Sequence, residues 1–426
     1  MARLGMIHVL CVIIFALTNT SHSLHQKPQA FLQPILKDIT TNLYYSPLSI
    51  GANVRNINLA IDLGGSAPLL LTCAAATKSR SYHPIKCGSS RCIQAKPDPF
   101  SCPTNTSKKA TCHKSFSTSF TEKPVKARLL RDTVSLLYTD NAFTYMGGGI
   151  DMTMTIACTD VKVDPLVKPF PSIVVGTLGL AKTHTALPSQ VVSLYKLPLK
   201  VALCLPSPHS GESSGSGSLF IGGGPYFMAL NPEDISKIFA STPLLPSDQS
   251  RGEYFIDVNY IQISGKSVPF LKKSTKICTL APYTVLHSSI YKALVLAFAE
   301  KAKMTKVPAL KPFGSCFSSK GLGRWMMGSR VPVIEFVLRG GAKWKIYGSN
   351  SLVKVSKDVV CLGFMDGGVN LPVDMIIGVT HIVLRVYGDT TPAKKLLFGT
   401  EWKKGGDSRT RKGVLVTEFE KDVLDD

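Results

Sequence analysis

An unbroken apolar triplet closed by glycine occurs twice in this chain, as Ile173-Val174-Val175-Gly176 and as Met375-Ile376-Ile377-Gly378. Such a run is too short for a helix and apolar on every side, so it reads as a strand buried on both faces. Each triplet lies downstream of a second strand-like segment. The first alternates Ile57, Leu59, Ile61 and Leu63 with Asn56, Asn58, Ala60 and Asp62, which puts an apolar face on one side and Asp62 on the other. The second is Thr275-Lys276-Ile277-Cys278-Thr279-Leu280. Two such pairs, about two hundred residues apart, predict a two-lobed, pseudo-twofold, mostly β protein. The 27 prolines and 34 glycines break the chain into many short apolar runs, as β structure requires, and a chain of this length exceeds what one core usually supports.

Residues 1–23 carry Arg3, an apolar run from Met6 to Leu17 and a polar close, the pattern of a secretory signal peptide. That run is too short for a membrane span and no later segment is long enough, so no membrane partner is expected. An N-terminal lobe is expected over 24–205 and a flexible Ser/Gly/Pro loop over 206–218. A C-terminal lobe follows over 219–402, and then a poorly ordered charged tail over 403–426. Ile290, Leu294, Ala297 and Phe298 fall at helical spacing and predict an amphipathic surface helix over 289–303.

Ten cysteines remain after the leader: Cys73, Cys87, Cys92, Cys102, Cys112, Cys158, Cys204, Cys278, Cys316 and Cys361. In a secreted chain disulfides are the default for such a set. His83 and His113 lack zinc-ligand spacing, so no metal or organic cofactor is expected. A formal charge of +21 attracts polyanions, with acidic wall polysaccharide or an acidic protein as partners. Nucleic acid is disfavoured by the leader and by the lack of a binding motif. Asn105-Thr106-Ser107 is a glycosylation sequon. Gly211-Glu212-Ser213-Ser214-Gly215 fits a serine-hydrolase pattern but lies in the low-complexity loop, without the strand-turn-helix that motif needs.

A series of short motifs runs in order through the chain. After Asp62 and its flanks come Val174-Val175-Gly176-Thr177-Leu178-Gly179-Leu180, Ala186-Leu187-Pro188-Ser189-Gln190 and Pro282-Tyr283-Thr284-Val285-Leu286. Pro312-Phe313-Gly314-Ser315-Cys316-Phe317 and Val360-Cys361-Leu362-Gly363 complete the series. The series resembles the plant pepsin-like proteins that include basic seed globulins, extracellular dermal glycoproteins and inhibitors of fungal xylanase and xyloglucanase. The resemblance implies a bilobal aspartic-protease fold. An active member would need two carboxylates about 3 Å apart sharing a proton. Here Asp62 stands at the first position and Cys278 where its partner is expected, so the catalytic pair is not intact. Leu63 replaces a threonine whose hydroxyl helps hold the two active-site loops. Phe120 falls near the place of the flap tyrosine. Cys204 lacks the C-terminal partner its equivalents have, and the sequence after Gly378, Val379-Thr380-His381, departs from the family pattern.

The resemblance further implies a secreted, catalytically inactive inhibitor of microbial glycoside hydrolases. Its loop after the Pro-Phe-Gly segment would present Arg324 and Trp325, with Arg330 close by, to the carboxylate pair of a glycosidase cleft. The alternatives are an active aspartic endopeptidase and a basic seed-storage globulin.

Overall fold

The computed structural model describes residues 28–53, 55–98, 101–102, 110–119, 121, 123–139, 149–160, 170–206, 217–224, 240–245, 252–270, 274–322, 330–382, 395–398 and 412–418. The expected leader, most of the 206–218 loop, Asn105, Phe120, Arg324 and Trp325 lie outside these residues.

The duplication is topological. Strand Arg55–Asp62 runs parallel to Val174–Gly179, with Asp62 opposite Gly179. Leu69–Thr72 packs antiparallel on the other side of Val174–Gly179 and parallel to Gly149–Thr159. In the second half Thr275–Ile277 runs parallel to Met375–Ile377. Thr284–Leu286 lies antiparallel to Met375–Ile377 and parallel to Phe364–Asp366. Each half therefore threads a short strand between the two arms of an active-site-type loop.

This register corrects the alignment of the two triplets. Gly378 corresponds to Gly179 rather than to Gly176. A β-carbon on Gly179 would come within 1.9 Å of the Ala67 carbonyl oxygen and 2.4 Å of that of Gly65. On Gly378 it would meet the Tyr283 oxygen at 2.2 Å and the Ala281 oxygen at 2.7 Å. Gly65 and Ala67 follow Asp62 by three and five residues, and Ala281 and Tyr283 follow Cys278 by the same steps. Only glycine admits so close a backbone approach, and each lobe has one at this matched position; Gly176 needs glycine too, but against the Leu70 carbonyl oxygen at 2.2 Å.

The alternation read from the Asp62 strand sorts its side chains as expected. Leu59, Ile61 and Leu63 enter the large core cluster, whereas Ala60, on the opposite face, packs with Leu43, Val174, Cys278 and Leu280 in a small cluster of its own. Asp62 shares that second face, so the strand delivers its carboxylate to the junction with the second loop. The helix spans Ser288–Lys301 and buries Ile290, Leu294, Ala297 and Phe298, the stripe read from sequence.

One layer links the two halves. Ala30–Lys37 pairs with Gly217–Ile221, which pairs with Lys200–Pro206. Lys200–Pro206 in turn pairs with Lys412–Glu418, then Lys395–Phe398 and Ala240–Leu245 follow. This corrects the expectation of a poorly ordered tail over 403–426, since Lys412–Glu418 is a strand of the linking layer. The β-branched Val414, Val416 and Thr417 supply β propensity that an average over a charged segment conceals.

Four disulfides tie the fold: Cys73–Cys158, Cys87–Cys102, Cys92–Cys112 and Cys316–Cys361. Among the described residues they use every cysteine except Cys204 and Cys278. The last links adjacent strands in register, and the first closes a sequence separation of 85 residues, a large restriction on the unfolded chain. The sulfurs of Cys87, Cys92 and Cys102 lie within 4.8 Å of one another. Each is already bonded in a bridge and offers no thiolate to a metal. Among the described residues no helix is long and apolar enough to cross a membrane.

Candidate functional site

Asp62 ends its strand fully buried, at 0% exposure. Both carboxylate oxygens are engaged. The Gly64 amide donates to Oδ1 at 3.1 Å, the Ser119 amide donates to Oδ2 at 3.0 Å, and the Ser119 hydroxyl donates to Oδ1 in a short contact. Ser119 follows the strand His113–Phe116 and reaches Asp62 from 57 residues away. Ser119 thus covers both carboxylate oxygens. Burial pushes the Asp62 carboxyl above its usual range, opposed by the Ser119 and Gly64 hydrogen bonds and by the Lys276 ammonium.

Across the junction lies Cys278, one residue past strand Thr275–Ile277, its amide bonded to the Ile377 carbonyl at 3.0 Å. The side chain is buried and not disulfide-bonded. Burial raises its thiol pKa; Lys276 opposes that shift and Asp62 adds to it. A thiol so placed neither orients a water as a carboxylate does nor acts as a thiolate nucleophile at neutral or acidic pH.

Thr279, next to Cys278, joins the two loops. Its hydroxyl donates to the Ile61 carbonyl at 2.6 Å and accepts from the Leu63 amide at 2.9 Å. The reciprocal bonds would require a hydroxyl at 63, where Leu63 points instead into the core at 0% exposure. Half of the expected clasp is thus kept, a contact that the reading of Leu63 alone does not disclose.

A buried ion pair closes the site further. Lys276 bonds Glu253 in a short contact, with side-chain exposures of 17% and 9%. A β-carbon on Gly64 would meet Ser119 Oγ at 2.6 Å and Glu253 Oε1 at 3.6 Å, so the pair packs over the Asp62 loop. Behind it Tyr254 donates from its hydroxyl to the Leu180 carbonyl at 2.8 Å, and the Lys182 amide donates to the Gly252 carbonyl at 2.9 Å. Both bonds join segments on either side of the boundary. Lys276 has a signal in the sequence, a cation inside a strand otherwise apolar towards the core. Ser119 has none, because its partner is remote in the chain.

Of the expected inhibitory residues, Arg330 is described. It is exposed, its guanidinium lies over Gly321, and its carbonyl accepts from the Lys303 amide at 3.0 Å. It stands on the C-terminal half and does not join the Asp62 cluster. His381, in the segment that departs from the family pattern, is buried and stacks on Phe364 with ring centroids 4.3 Å apart. Its Nδ1 meets Thr284 Oγ1 at 2.6 Å, and burial lowers its pKa to about 3.

The fold and this site define a two-lobed, pepsin-like protein whose cleft is closed over one carboxylate. Residues 44–223 match the family model described as "Xylanase inhibitor N-terminal", and residues 253–384 match "Xylanase inhibitor C-terminal". The chain belongs to this plant family of pepsin-like proteins, a group of aspartic-protease homologues without catalysis. A relative from Nicotiana benthamiana, named probable aspartic proteinase GIP2, is 31% identical over 87% of this chain and 89% of its own length. The crystal structure of edgp superposes with a TM-score of 0.71 at 30% identity, covering 91% of this chain and 95% of that one. Basic 7S globulin from soybean gives a TM-score of 0.73 at 25% identity, covering 87% and 94%.

Proposed function

We propose that the protein is a secreted, proteolytically silent inhibitor of glycoside hydrolases of the xylanase and xyloglucanase type, and that Cys278 occupies the place of the second catalytic aspartate. The observation that carries this reading is the capping of Asp62 by Ser119 beside a buried thiol. A protease must keep its carboxylates open to water and substrate, whereas a binding scaffold needs only the architecture. The Thr279 clasp and the matched glycine contacts at Gly179 and Gly378 preserve that architecture without the chemistry. The eight bridged cysteines fit an oxidising, extracellular setting.

The inhibitory surface is assigned to the loop that carries Arg324 and Trp325, with exposed Arg330 beside it, reaching the carboxylate pair of a glycosidase cleft. The experiment is a titration of the purified protein against a family 11 xylanase and a family 12 xyloglucanase. Inhibition of either that weakens about tenfold or more in Arg324→Ala supports the reading, and no inhibition of either enzyme refutes it. The likeness to basic 7S globulin supports a second reading, a storage or binding globulin. Accumulation confined to seed, together with silence against both enzymes, would favour that one.

A further inference from the structure

Five cationic residues lie on or beside one turn of the C-terminal half, remote in role from the Asp62 cluster. The turn Ser318–Gly321 follows strand Cys316–Ser318. Its Ser318 amide bonds the Thr305 carbonyl at 2.8 Å, next to Lys306. Its Ser319 hydroxyl donates to the Lys357 carbonyl at 3.2 Å, and the Ser319 amide donates to that of Asp358 at 2.8 Å. Lys320 lies within the turn, the Arg330 guanidinium lies over Gly321, and Lys303 bonds the Arg330 carbonyl. Lys303, Lys306, Lys320, Arg330 and Lys357 are all exposed, and among the described residues none forms an ion pair. Asp358 is the one carboxylate next to the turn.

Elsewhere the carboxylates are used. Glu335 takes both Lys343 and Lys345, Glu300 takes Lys266 and Lys301, and Asp160 takes Arg128. The turn is thus a local excess of unneutralised charge. The five residues are exposed and sit on separate segments around the turn. A compact anion would need converging, desolvated donors. Spread cations instead favour a linear polyanion, along which many weak contacts add.

We propose that this turn is a docking site for a linear carboxylated polysaccharide, one carrying a uronic acid at each sugar, and that it holds the protein to an extracellular matrix. The four disulfides fit that compartment better than one rich in nucleic acid. The turn adjoins the Arg324 segment in sequence and shares Arg330 with the proposed inhibitory surface, so the test reads polysaccharide binding directly and its variants leave Arg324 and Arg330 in place.

The experiment measures binding of the full-length protein to polygalacturonate at about 50 mM salt, with neutral xyloglucan and duplex DNA as comparison ligands. Two variants remove equal charge: Lys303→Gln/Lys320→Gln/Lys357→Gln at the turn, and Lys78→Gln/Lys126→Gln/Arg131→Gln on the other lobe. All six positions are exposed, and unchanged melting temperatures confirm folding. The turn variant is expected to lose about tenfold or more in affinity with a shallower salt dependence, and the other variant to change by about twofold or less. Absence of polygalacturonate binding, or equal losses in both variants, overturns the assignment. Tighter, turn-dependent binding to DNA overturns it in favour of nucleic acid.

Discussion

Thr279 holds Leu63 across the lobe boundary: its hydroxyl accepts the Leu63 amide at 2.9 Å while donating to the Ile61 carbonyl at 2.6 Å. All three residues are buried, so the hydroxyl serves a donor and an acceptor away from solvent. Thr279→Val keeps the shape and removes the bonds. An amide and a carbonyl left buried without partners cost about 1 to 3 kcal/mol each. The variant is expected to lose about 2 to 6 kcal/mol, read as a fall in the urea midpoint with little change in slope.

The Lys276–Glu253 pair makes an asymmetric prediction. Lys276→Met strands the Glu253 carboxylate beside Asp62 and is expected to destabilise by about 3 kcal/mol at neutral pH. The double variant Lys276→Met/Glu253→Gln recovers most of the stability, because it leaves no unpaired charge. Chemical denaturation of the parent protein, Lys276→Met, Glu253→Gln and the double variant completes the cycle.

Cys278 is buried and its thiol is pushed up. A disulfide reagent at neutral pH is therefore expected to leave it unmodified in the native protein and to modify it after unfolding. Mass analysis of peptides containing Cys278 reads both states. Modification as fast as that of a free thiol in solution would contradict the burial of the junction.

His381 sets a pH dependence whose sign follows from burial. Its folded pKa, about 3, lies below the ordinary value near 6.5. The stability it contributes is complete above that ordinary value and is lost as pH falls towards 3, where the unfolded chain binds a proton that the folded one refuses. Asp62, raised by burial, acts in the opposite sense: its contribution is present at low pH and declines as pH rises through the carboxylate range. His381→Gln is expected to flatten the fall in stability between about pH 6.5 and pH 4. An unchanged slope would show that other groups carry it.

The sequence exposes what repeats with a short period and hides what depends on distance along the chain. The Asp62 strand is legible because alternation fixes which face Ile57, Leu59 and Ile61 bury, and the helix at Ser288–Lys301 because its stripe recurs at 3.6 residues. The duplication is legible too, but its register is not. Gly176 and Gly179 both follow apolar residues, and only the carbonyls of Gly65 and Ala67 reveal which glycine matches Gly378. Ser119 is one of several serines and threonines in its segment, and nothing local marks it as the residue that caps Asp62. The strand Lys412–Glu418 is concealed by the lysines and acids around the three-residue apolar run Val414-Leu415-Val416.

The central claim is that Asp62, capped by Ser119 and facing Cys278, does no proteolysis. The most direct measurement is cleavage of a denatured protein substrate at acidic pH by the purified protein, with and without pepstatin, alongside Asp62→Asn. The account predicts no cleavage above a buffer control in any of these, because Ser119 caps Asp62 and the Glu253 carboxylate packed over its loop is held by Lys276. Pepstatin-sensitive cleavage that disappears in Asp62→Asn would contradict it and would show that Asp62 opens and finds another acid to share its proton.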